Sequence, residues 1–294
     1  METVDSNGIL PLRAAGDRVF PTAYAFRRFL QRTIRVHLDA FPKRSPLQGV
    51  KLRPFSRLPG EISRRWPAAT APLQGGGLED IPIDHGVQPA SLRGGPEAAA
   101  KRLDAFVDGL LDRYADARND VETNVTSGLS PYLHFGHISA HEIFSRIVEK
   151  ENWRPRRISA TADGRRSGWW GMSANAEAFL DQLITWRELG YNMTFRRGDY
   201  DRYQSLPDWA RETLEAHAHD PRDHLYSMAE FETAQTHDPL WNAAQRELVR
   251  EGTIHNYLRM LWGKKIFEWT ASPNEALEVM IELNNKYALD GRNP

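Results

Sequence analysis

The sequence contains no cysteine, no long apolar run and almost no net charge, with a formal charge of −1. The lack of cysteine excludes disulfides, thiolate catalysis and zinc bound through sulfur, and is typical of an intracellular protein. No apolar run approaches about 18 residues, and the first residues lack the pattern of a signal peptide. We therefore expect an intracellular location, cytoplasmic in a bacterium or nuclear in a eukaryote. Any contact with nucleic acid needs a local basic patch.

What the sequence does contain is tryptophan and helical patterning. Nine tryptophans is a high number for 294 residues, and most lie in the second half. A helix is predicted over residues 174–193. There is no alternating strand pattern after residue 95. Prolines and hydroxyl caps mark further helix starts at Pro96, Ser139, Pro207, Pro239 and Ser272. The last part of the chain, about two hundred residues, is therefore predicted to be all-α.

The first 95 residues are less regular. Residues 9–12 predict a short strand entered through an Asn-Gly turn, and residues 21–40 predict an amphipathic helix that starts at Pro21 or Thr22. From residue 42 to about 95 the chain is rich in Pro, Gly and Arg, which is typical of a linker. The triple glycine at 75–77 lacks the preceding strand and following helix of a nucleotide-binding loop.

The segment from Trp241 to Trp269 predicts two helices broken at Gly252. Trp262 and Trp269 are seven residues apart, so a helix places them on one face at a separation of roughly 10 Å. Arg259 lies among apolar neighbours, and a guanidinium there needs an anionic or hydrogen-bonding partner. The alternative is a buried amphipathic helix that uses tryptophan as filler.

Three other segments indicate binding, each with a simpler alternative. The hydroxyl-rich residues 126–139 precede a helix and suit a phosphate, or are helix caps without a ligand. Gln182 and Trp186 share a helix face that suits a flat heterocycle, or are core residues. Residues 153–170 interleave arginine and tryptophan, which suits nucleic acid with accessible bases, or form a solvated basic loop. The histidine spacings predict no metal site.

Five ordered blocks together resemble the photolyase/cryptochrome family, specifically its class II cyclobutane pyrimidine dimer photolyases. They are TSGLSPYLHFGHIS (126–139), FLDQLITWREL (179–189), THDPLWNAAQ (236–245), HNYLRMLWGKKIFEWT (255–270) and LNNKYALDGRNP (283–294). VDSNGILPLRAA and TAYAFRRFL also resemble the last part of the family's N-terminal α/β domain. The resemblance implies a chain without most of that domain and without the extreme C-terminus.

The resemblance implies a mainly α fold. Residues 96–294 are expected to form a C-terminally truncated helical FAD-binding domain, after a remnant of a Rossmann-like α/β antenna domain (1–45) and an interdomain linker (46–95). The family binds FAD bent into a U. Arg259 and Asp290 match an ion pair beside its isoalloxazine ring, and Asn284 matches an asparagine that faces flavin N5. The full set of matched cofactor positions is Tyr114, Thr126, Ser127, Gly128, Leu129, Ser130, Arg187, Arg259, Asn284 and Asp290.

The same resemblance implies an electron route and a substrate pocket. Trp262 and Trp241 resemble the class II pair that carries electrons from the surface to the flavin, with Trp269 as an accessory. Many members have a glutamate where this chain has Gln182, and an amide cannot supply a proton, so slower repair or different base reading is expected. The matched pocket positions are Gln182, Trp186, Asn256 and Met260.

The implied activity is light-driven repair of pyrimidine dimers in UV-damaged DNA, a carbon–carbon lyase reaction. Fully reduced FAD donates an electron to a dimer flipped out of the duplex, the cyclobutane ring splits, and the electron returns. A monomer is expected, and the antenna chromophore is not identified by the sequence. Two alternatives stay open: a cryptochrome-like blue-light sensor without repair activity, which Gln182 favours, and an inactive fragment without cofactor.

Overall fold

The computed structural model describes residues 4–38, 42–43, 45, 47–53, 57–68 and 81–294. Throughout these ranges the regular secondary structure is helical, as predicted for the last two-thirds of the chain. The triple glycine at 75–77 lies outside them. In the described ranges no helix combines the length and apolar character that crossing a membrane requires.

Helices follow one another along the chain with short connections. The α-helices are α1 Ala23–Thr33, α2 Gly60–Arg65, α3 Pro96–Gly109, α4 Tyr114–Ala117, α5 Ser130–His134, α6 Ala140–Lys150, α7 Ala174–Leu180, α8 Arg187–Arg196, α9 Asp208–Ala216, α10 Met228–Glu232, α11 Pro239–Glu251, α12 Asn256–Glu268 and α13 Pro273–Tyr287. A π-helical turn, Asp181–Trp186, joins α7 to α8 where one continuous helix was predicted. Short 3-10 turns occur at Leu12–Ala15, Ile34–His37, Leu111–Arg113, Pro155–Arg157 and Tyr203–Ser205.

The chain divides into two compact units. Residues 42–89 form the smaller unit, which contains α2, and residues 1–41 together with 90–294 form the larger one. The predicted assignment of residues 1–45, 46–95 and 96–294 to three regions stays a prediction.

The larger unit has two hydrophobic cores. The first core joins the N-terminal segment to α1 and to the helices from α3 to the π-helical turn, with Ile34, Phe106 and Ile143 at its centre. The second core joins α10 to α13 around Ile266 and Leu283. Residues predicted to bind one cofactor come from both cores.

The tryptophans of residues 153–170 belong to the first core, so they cannot stack on bases as the predicted nucleic-acid contact requires. Trp153, Trp169 and Trp170 are at most 6% exposed. Trp153 Nε1 donates a hydrogen bond to Trp170 O at 2.6 Å. Buried indoles are more favourable in free energy than indoles exposed on a loop, because burial removes a large apolar area of each ring from water. The arginines of this segment, unlike its tryptophans, are exposed.

The short strand predicted at residues 9–12 does not form. Ile9 N donates to Glu188 Oε1 at 2.6 Å, and Leu10 N donates to Glu188 Oε2 at 3.3 Å. The described chain offers these backbone groups no partner strand, and the buried carboxylate accepts their hydrogen bonds instead. Gly8 permits this approach, because a Cβ there would lie 2.7 Å from Glu188 Cδ.

Burial controls the protonation of Glu188. Removal of the carboxylate from water raises the pKa of Glu188 to about 8, although the hydrogen bonds from Ile9 and Leu10 act in the opposite direction. The folded state therefore holds a proton that the unfolded chain releases near its ordinary pKa of 4.5.

Replacing Glu188 with glutamine tests this burial. The contribution of the protonated glutamate to stability is complete below about pH 4.5 and is lost as the pH rises through about 8, at up to about 1.4 kcal/mol per pH unit. Glu188→Gln keeps an acceptor for Ile9 and Leu10 but cannot titrate. The free energy of unfolding, measured by urea titration between about pH 5 and 8, should therefore lose this slope.

Glu282→Gln is the control, because it removes one negative charge from an exposed position of α13. If Glu188→Gln had the same pH dependence of stability as the wild-type protein, the proton would not be bound at Glu188.

Candidate functional site

Three tryptophans of the second core form a contact array. Trp241 lies between the other two: its ring is 6.3 Å from that of Trp262 with an angle of 4° between the planes, and 6.0 Å from that of Trp269 at 69°. Trp262 Nε1 donates to Gln245 Oε1 at 2.8 Å, and Trp241 Nε1 donates to Trp262 O at 3.1 Å. These bonds satisfy both buried indoles, so the stacked pair is fixed in orientation.

The array continues toward the surface through polar aromatic residues that the sequence analysis missed. Trp269 contacts the rings of His237 at 4.9 Å and Tyr226 at 5.9 Å. Tyr226 Oη and His237 Nδ1 are hydrogen-bonded at 2.7 Å. A cavity of about 620 Å³ lies beside Trp269 and is lined in part by His237 and Phe267. The outer end of the array therefore lies next to solvent.

The Arg259 guanidinium has the anionic partner that its environment requires. Its Nη1 and Nη2 atoms each lie 3.0 Å from Asp290 Oδ1. The Asp290 side chain is only 10% exposed and that of Arg259 is 28% exposed, so the pair is largely shielded from water. Arg259 lies one helical turn before Trp262, which places the ion pair and the tryptophan array on the same helix, α12.

Asp290 is positioned by the chain reversal that follows α13. Leu289 N donates to Gly252 O at 2.8 Å, which ties the reversal to the left-handed end of α11. Arg292 N donates to Asn285 Oδ1 at 2.9 Å and closes the turn. Asn284, the predicted partner of flavin N5, lies half-buried in the last turn of α13.

The predicted phosphate loop is organised by an arginine. Arg102 Nε donates to Ser127 O at 2.6 Å, and its Nη2 donates to Thr126 O at 2.8 Å. Gly128 has a φ of +63°, and a Cβ there would lie 2.8 Å from Arg102 Nε, so the loop needs glycine. Leu129 is buried in the first core and Ser130 is exposed at the start of α5.

Tyr114, also predicted to contact the cofactor, is a core residue of the first cluster. Its ring meets those of Phe106 at 5.7 Å and Phe179 at 5.4 Å, both edge-on. Burial raises the pKa of Tyr114, so the phenol stays neutral and can donate a hydrogen bond.

Gln182 and Trp186 lie in the π-helical turn. Gln182 is half-buried and Trp186 is 46% exposed. A buried ion pair holds the turn, because Arg27 Nε and Nη2 donate to Asp181 at 2.8 and 3.1 Å. Single π-helical turns occur frequently at functional sites. The sequence analysis missed this turn because its spacing of polar and apolar residues also fits an α-helix.

The other two predicted pocket residues lie on α12. Asn256 is exposed at its first position, and Met260 is 49% exposed one turn later. Both side chains are accessible to a ligand.

Arg187 links the two cores. Its Nη2 donates to Tyr191 Oη at 3.1 Å, and Tyr191 Oη donates to Asn293 Oδ1 at 3.4 Å. Asn293 follows Asp290 in the same reversal, with a hydrogen bond of 3.2 Å from its backbone N–H to Asp290 O. Arg187 Nη1 donates to Asn7 O at 2.5 Å. Predicted cofactor residues of both cores are thus connected through one hydrogen-bonded chain.

Three buried donors in this region have no partner within the described chain. They are Arg187 Nε, Arg259 Nε and His255 Nε2. Burial lowers the pKa of His255, whose Nδ1 accepts from Tyr257 N at 3.2 Å, so the proton of the neutral ring resides on Nε2. A buried donor without an acceptor costs about 1–3 kcal/mol. The donor set therefore fits a large polar, anionic ligand such as FAD.

Two solved structures share this fold. A class III photolyase from Agrobacterium tumefaciens matches 97% of this chain and 55% of that chain with a TM-score of 0.50 and 19% identity. A cryptochrome from Synechocystis sp. PCC6803 matches 97% and 52%, with a TM-score of 0.54 and 16% identity. The chain therefore has the fold of part of the photolyase and cryptochrome structures.

Two curated relatives carry the same name. The chain is 36% identical over 296 residues to a deoxyribodipyrimidine photo-lyase of Oryza sativa subsp. japonica, covering 99% of this chain and 53% of the relative. It is 34% identical over 291 residues to one of Methanothermobacter thermautotrophicus, covering 99% and 57%. The chain thus spans about half the length of these relatives. No protein-family model matches it.

Gly291→Ala should displace the reversal that carries Asp290. A Cβ would lie 2.6 Å from Asn284 O and 2.9 Å from Ala288 O, and both are backbone atoms at the end of α13. We expect the free energy of unfolding, measured with urea, to fall by about 1–3 kcal/mol.

Gly109→Ala is the matched control, because a Cβ at this helical position meets no atom within 4 Å. It should be neutral or stabilise by up to about 1 kcal/mol. Equal losses of stability in both variants would mean that the reversal at Gly291 is not sterically confined.

Proposed function

We propose that the chain binds FAD between the two cores and uses it, fully reduced, for light-driven repair of cyclobutane pyrimidine dimers in DNA. The observation that carries the proposal is the shielded Arg259–Asp290 pair, with an unpartnered Arg259 Nε, one helical turn before the tryptophan array. The names of the homologues support the same activity. As a finer assignment, we propose that the chain corresponds to the class II type.

In this proposal the chain's own residues hold and orient the cofactor. Arg187 and Arg259 contribute free guanidinium N–H donors, which attract an anionic ligand and form the stronger, charge-assisted kind of hydrogen bond. The turn from Thr126 to Ser130 offers hydroxyl groups to the phosphates, and Tyr114 offers its neutral hydroxyl. Asn284 would face the redox-active edge of the ring. When bound, FAD supplies the light absorption and the transferred electron.

The tryptophan array would resupply electrons from solution. Trp241 touches both Trp262 and Trp269, and Trp269 lies beside the open cavity, so the three rings make a continuous aromatic path. The array is otherwise buried, which keeps water away from the intermediate rings. Arg259 precedes Trp262 on α12 by one turn, and the path would therefore end near the ring-binding end of the cofactor site.

Gln182, Trp186, Asn256 and Met260 would receive the damaged bases. The exposed Trp186 and Met260 offer apolar faces to a flipped dimer, and flipping a damaged base costs less than flipping an intact one. The side-chain amides of Gln182 and Asn256 can form hydrogen bonds with the edges of the bases. Because Gln182 cannot supply a proton, repair would be slower than with a glutamate. We further propose that the chain is a monomer and that residues 46–95 form a linker.

A blue-light sensor is the second candidate. It would use the same cofactor residues and the same tryptophan array, and the amide of Gln182 is the observation that favours it, since a carboxyl at this position could donate a proton to the dimer.

Two measurements test the proposal. Protein refolded with FAD should keep the visible absorption of a flavin after desalting, whereas Asp290→Asn, which leaves Arg259 without its counter-charge, should retain less. Illumination of the reduced protein with an oligonucleotide that contains a thymine dimer should restore thymine absorbance. A colourless protein would exclude the cofactor. Flavin binding without light-dependent recovery would support the sensor.

Trp262→Phe tests the electron route. It removes the indole stacked on Trp241 and the donor to Gln245. We expect light-driven reduction of bound oxidised flavin to slow by more than about tenfold, the effect of a barrier higher by about 1.4 kcal/mol. Repair by chemically reduced protein should change little, since the array only resupplies electrons.

Trp153→Phe is the matched control, because Trp153 is equally buried and its Nε1 is also hydrogen-bonded, but it lies in the first core. Equal photoreduction rates for wild-type protein and Trp262→Phe would show that electrons take another path.

A further inference from the structure

A basic groove runs along α1, away from the residues assigned above. It encloses about 300 Å³ and has no carboxylate in its lining. We call it the α1 groove, and its main lining residues are Arg18, Phe20, Tyr24, Arg28, Phe29 and Arg32. The three arginines are exposed, as is Tyr24 at 56%.

The arginines of the groove lack counter-charges. In the described part of the chain no ion pair involves Arg18, Arg28 or Arg32, whereas many other arginines contact a carboxylate. Instead, the Arg18 Cζ atom lies 4.7 Å above the ring of Phe29, and that of Arg28 lies 5.9 Å above the ring of Tyr24. Three free guanidinium groups among aromatic faces attract an anion that also carries flat rings.

The groove is held in shape by buried contacts on its inner side. The side-chain amide of Gln31 accepts from Gly164 N at 2.7 Å and donates to Arg165 O at 3.0 Å. A Cβ on Gly164 would lie 2.6 Å from Arg28 Cγ and 2.8 Å from Tyr24 Cε2, so the loop packs directly against the groove residues. Arg166, two residues after Gly164, is also exposed.

We propose that the α1 groove binds a single strand of DNA, with its arginines on successive phosphates and Tyr24 stacked on a base. A positive groove with accessible aromatic side chains is the usual means of binding single strands without sequence preference. Its lining residues do not overlap with Trp186, Asn256 or Met260, so the groove is a contact separate from the proposed dimer pocket. The proposal requires neither flavin nor light.

The test uses a fluorescently labelled, undamaged oligothymidine and the full chain in the dark. Fluorescence anisotropy at several salt concentrations gives the affinity and its salt dependence. Each phosphate contact contributes about 0.7 to the slope of log affinity against log salt for a single strand. The variant with Arg18→Gln, Arg28→Gln and Arg32→Gln should therefore lose about 2 from the slope, and should bind at least about tenfold more weakly at low salt.

A second triple variant controls for overall charge. Arg13→Gln, Arg211→Gln and Arg250→Gln remove the same number of charges from arginines that already pair with carboxylates; Arg13 and Arg250 are exposed and Arg211 is half-buried. They should leave the slope nearly unchanged. Equal losses in both triple variants, or no loss in the groove variant, would overturn the proposal.

Tyr24 separates stacking from charge. Tyr24→Leu should weaken binding by about tenfold, because stacking on an aromatic ring contributes about 1–3 kcal/mol per base, whereas Tyr24→Phe should bind like the wild-type protein. Equal affinity of the leucine and phenylalanine variants would overturn the stacking role. Flavin retention by the groove variant should equal that of the wild-type protein, so failure of the cofactor assignment and failure of the groove proposal give different results.

Discussion

A guanidinium can leave water only if a counter-charge goes with it, and this constraint organises the second half of the molecule. Desolvating one charge costs several kcal/mol, so Arg259 on α12 requires Asp290 at 3.0 Å. Asp290 in turn requires the reversal after α13, the left-handed end of α11 at Gly252 and the close approach at Gly291. Among the described residues, none accepts a hydrogen bond from Arg259 Nε. The two charges of the pair therefore cancel, but one N–H donor of Arg259 is still free, as is expected of a ligand site.

The geometry and surroundings of the rings distinguish two groups of tryptophan. Trp153 and Trp170 are sealed in the first core, where an indole N–H bonds to a neighbouring carbonyl and the rings only fill space. Trp241 and Trp262 are equally buried, but they stack with nearly parallel planes, and their array reaches a cavity. The tryptophans of residues 153–170 therefore contribute to the packing of the first core. For the other, the geometry adds a path from the surface toward the ion pair.

The sequence predicted much of this organisation from local rules. The caps at Ser139 and Ser272 form as expected, because a side-chain oxygen three residues before a free N–H is a local relation. Two predictions were wrong: the strand at residues 9–12 and base stacking by the tryptophans of 153–170. Both depended on partners distant in the chain. Glu188 lies about 180 residues from the N–H groups that it binds, and no local pattern contains that information. The π-helical turn was missed because its residue spacing also fits an α-helix, and its buried anchor, Arg27, lies on another helix and gives no local signal.

That anchor also connects the two proposed binding surfaces. Arg27 belongs to α1 and lies next to Arg28 of the groove, while its partner Asp181 directly precedes Gln182 of the π-helical turn. Both side chains of the pair are at most 10% exposed, and breaking one partner of a buried pair is strongly destabilising, so the two elements cannot separate independently. The spacing between the groove and the turn is therefore fixed by this ion pair together with the apolar contacts of α1 and the turn in the first core. A strand held in the groove would lie at a fixed distance from Gln182 and Trp186 of the proposed pocket, and pre-organisation of this kind lowers the entropic cost of binding a flexible ligand.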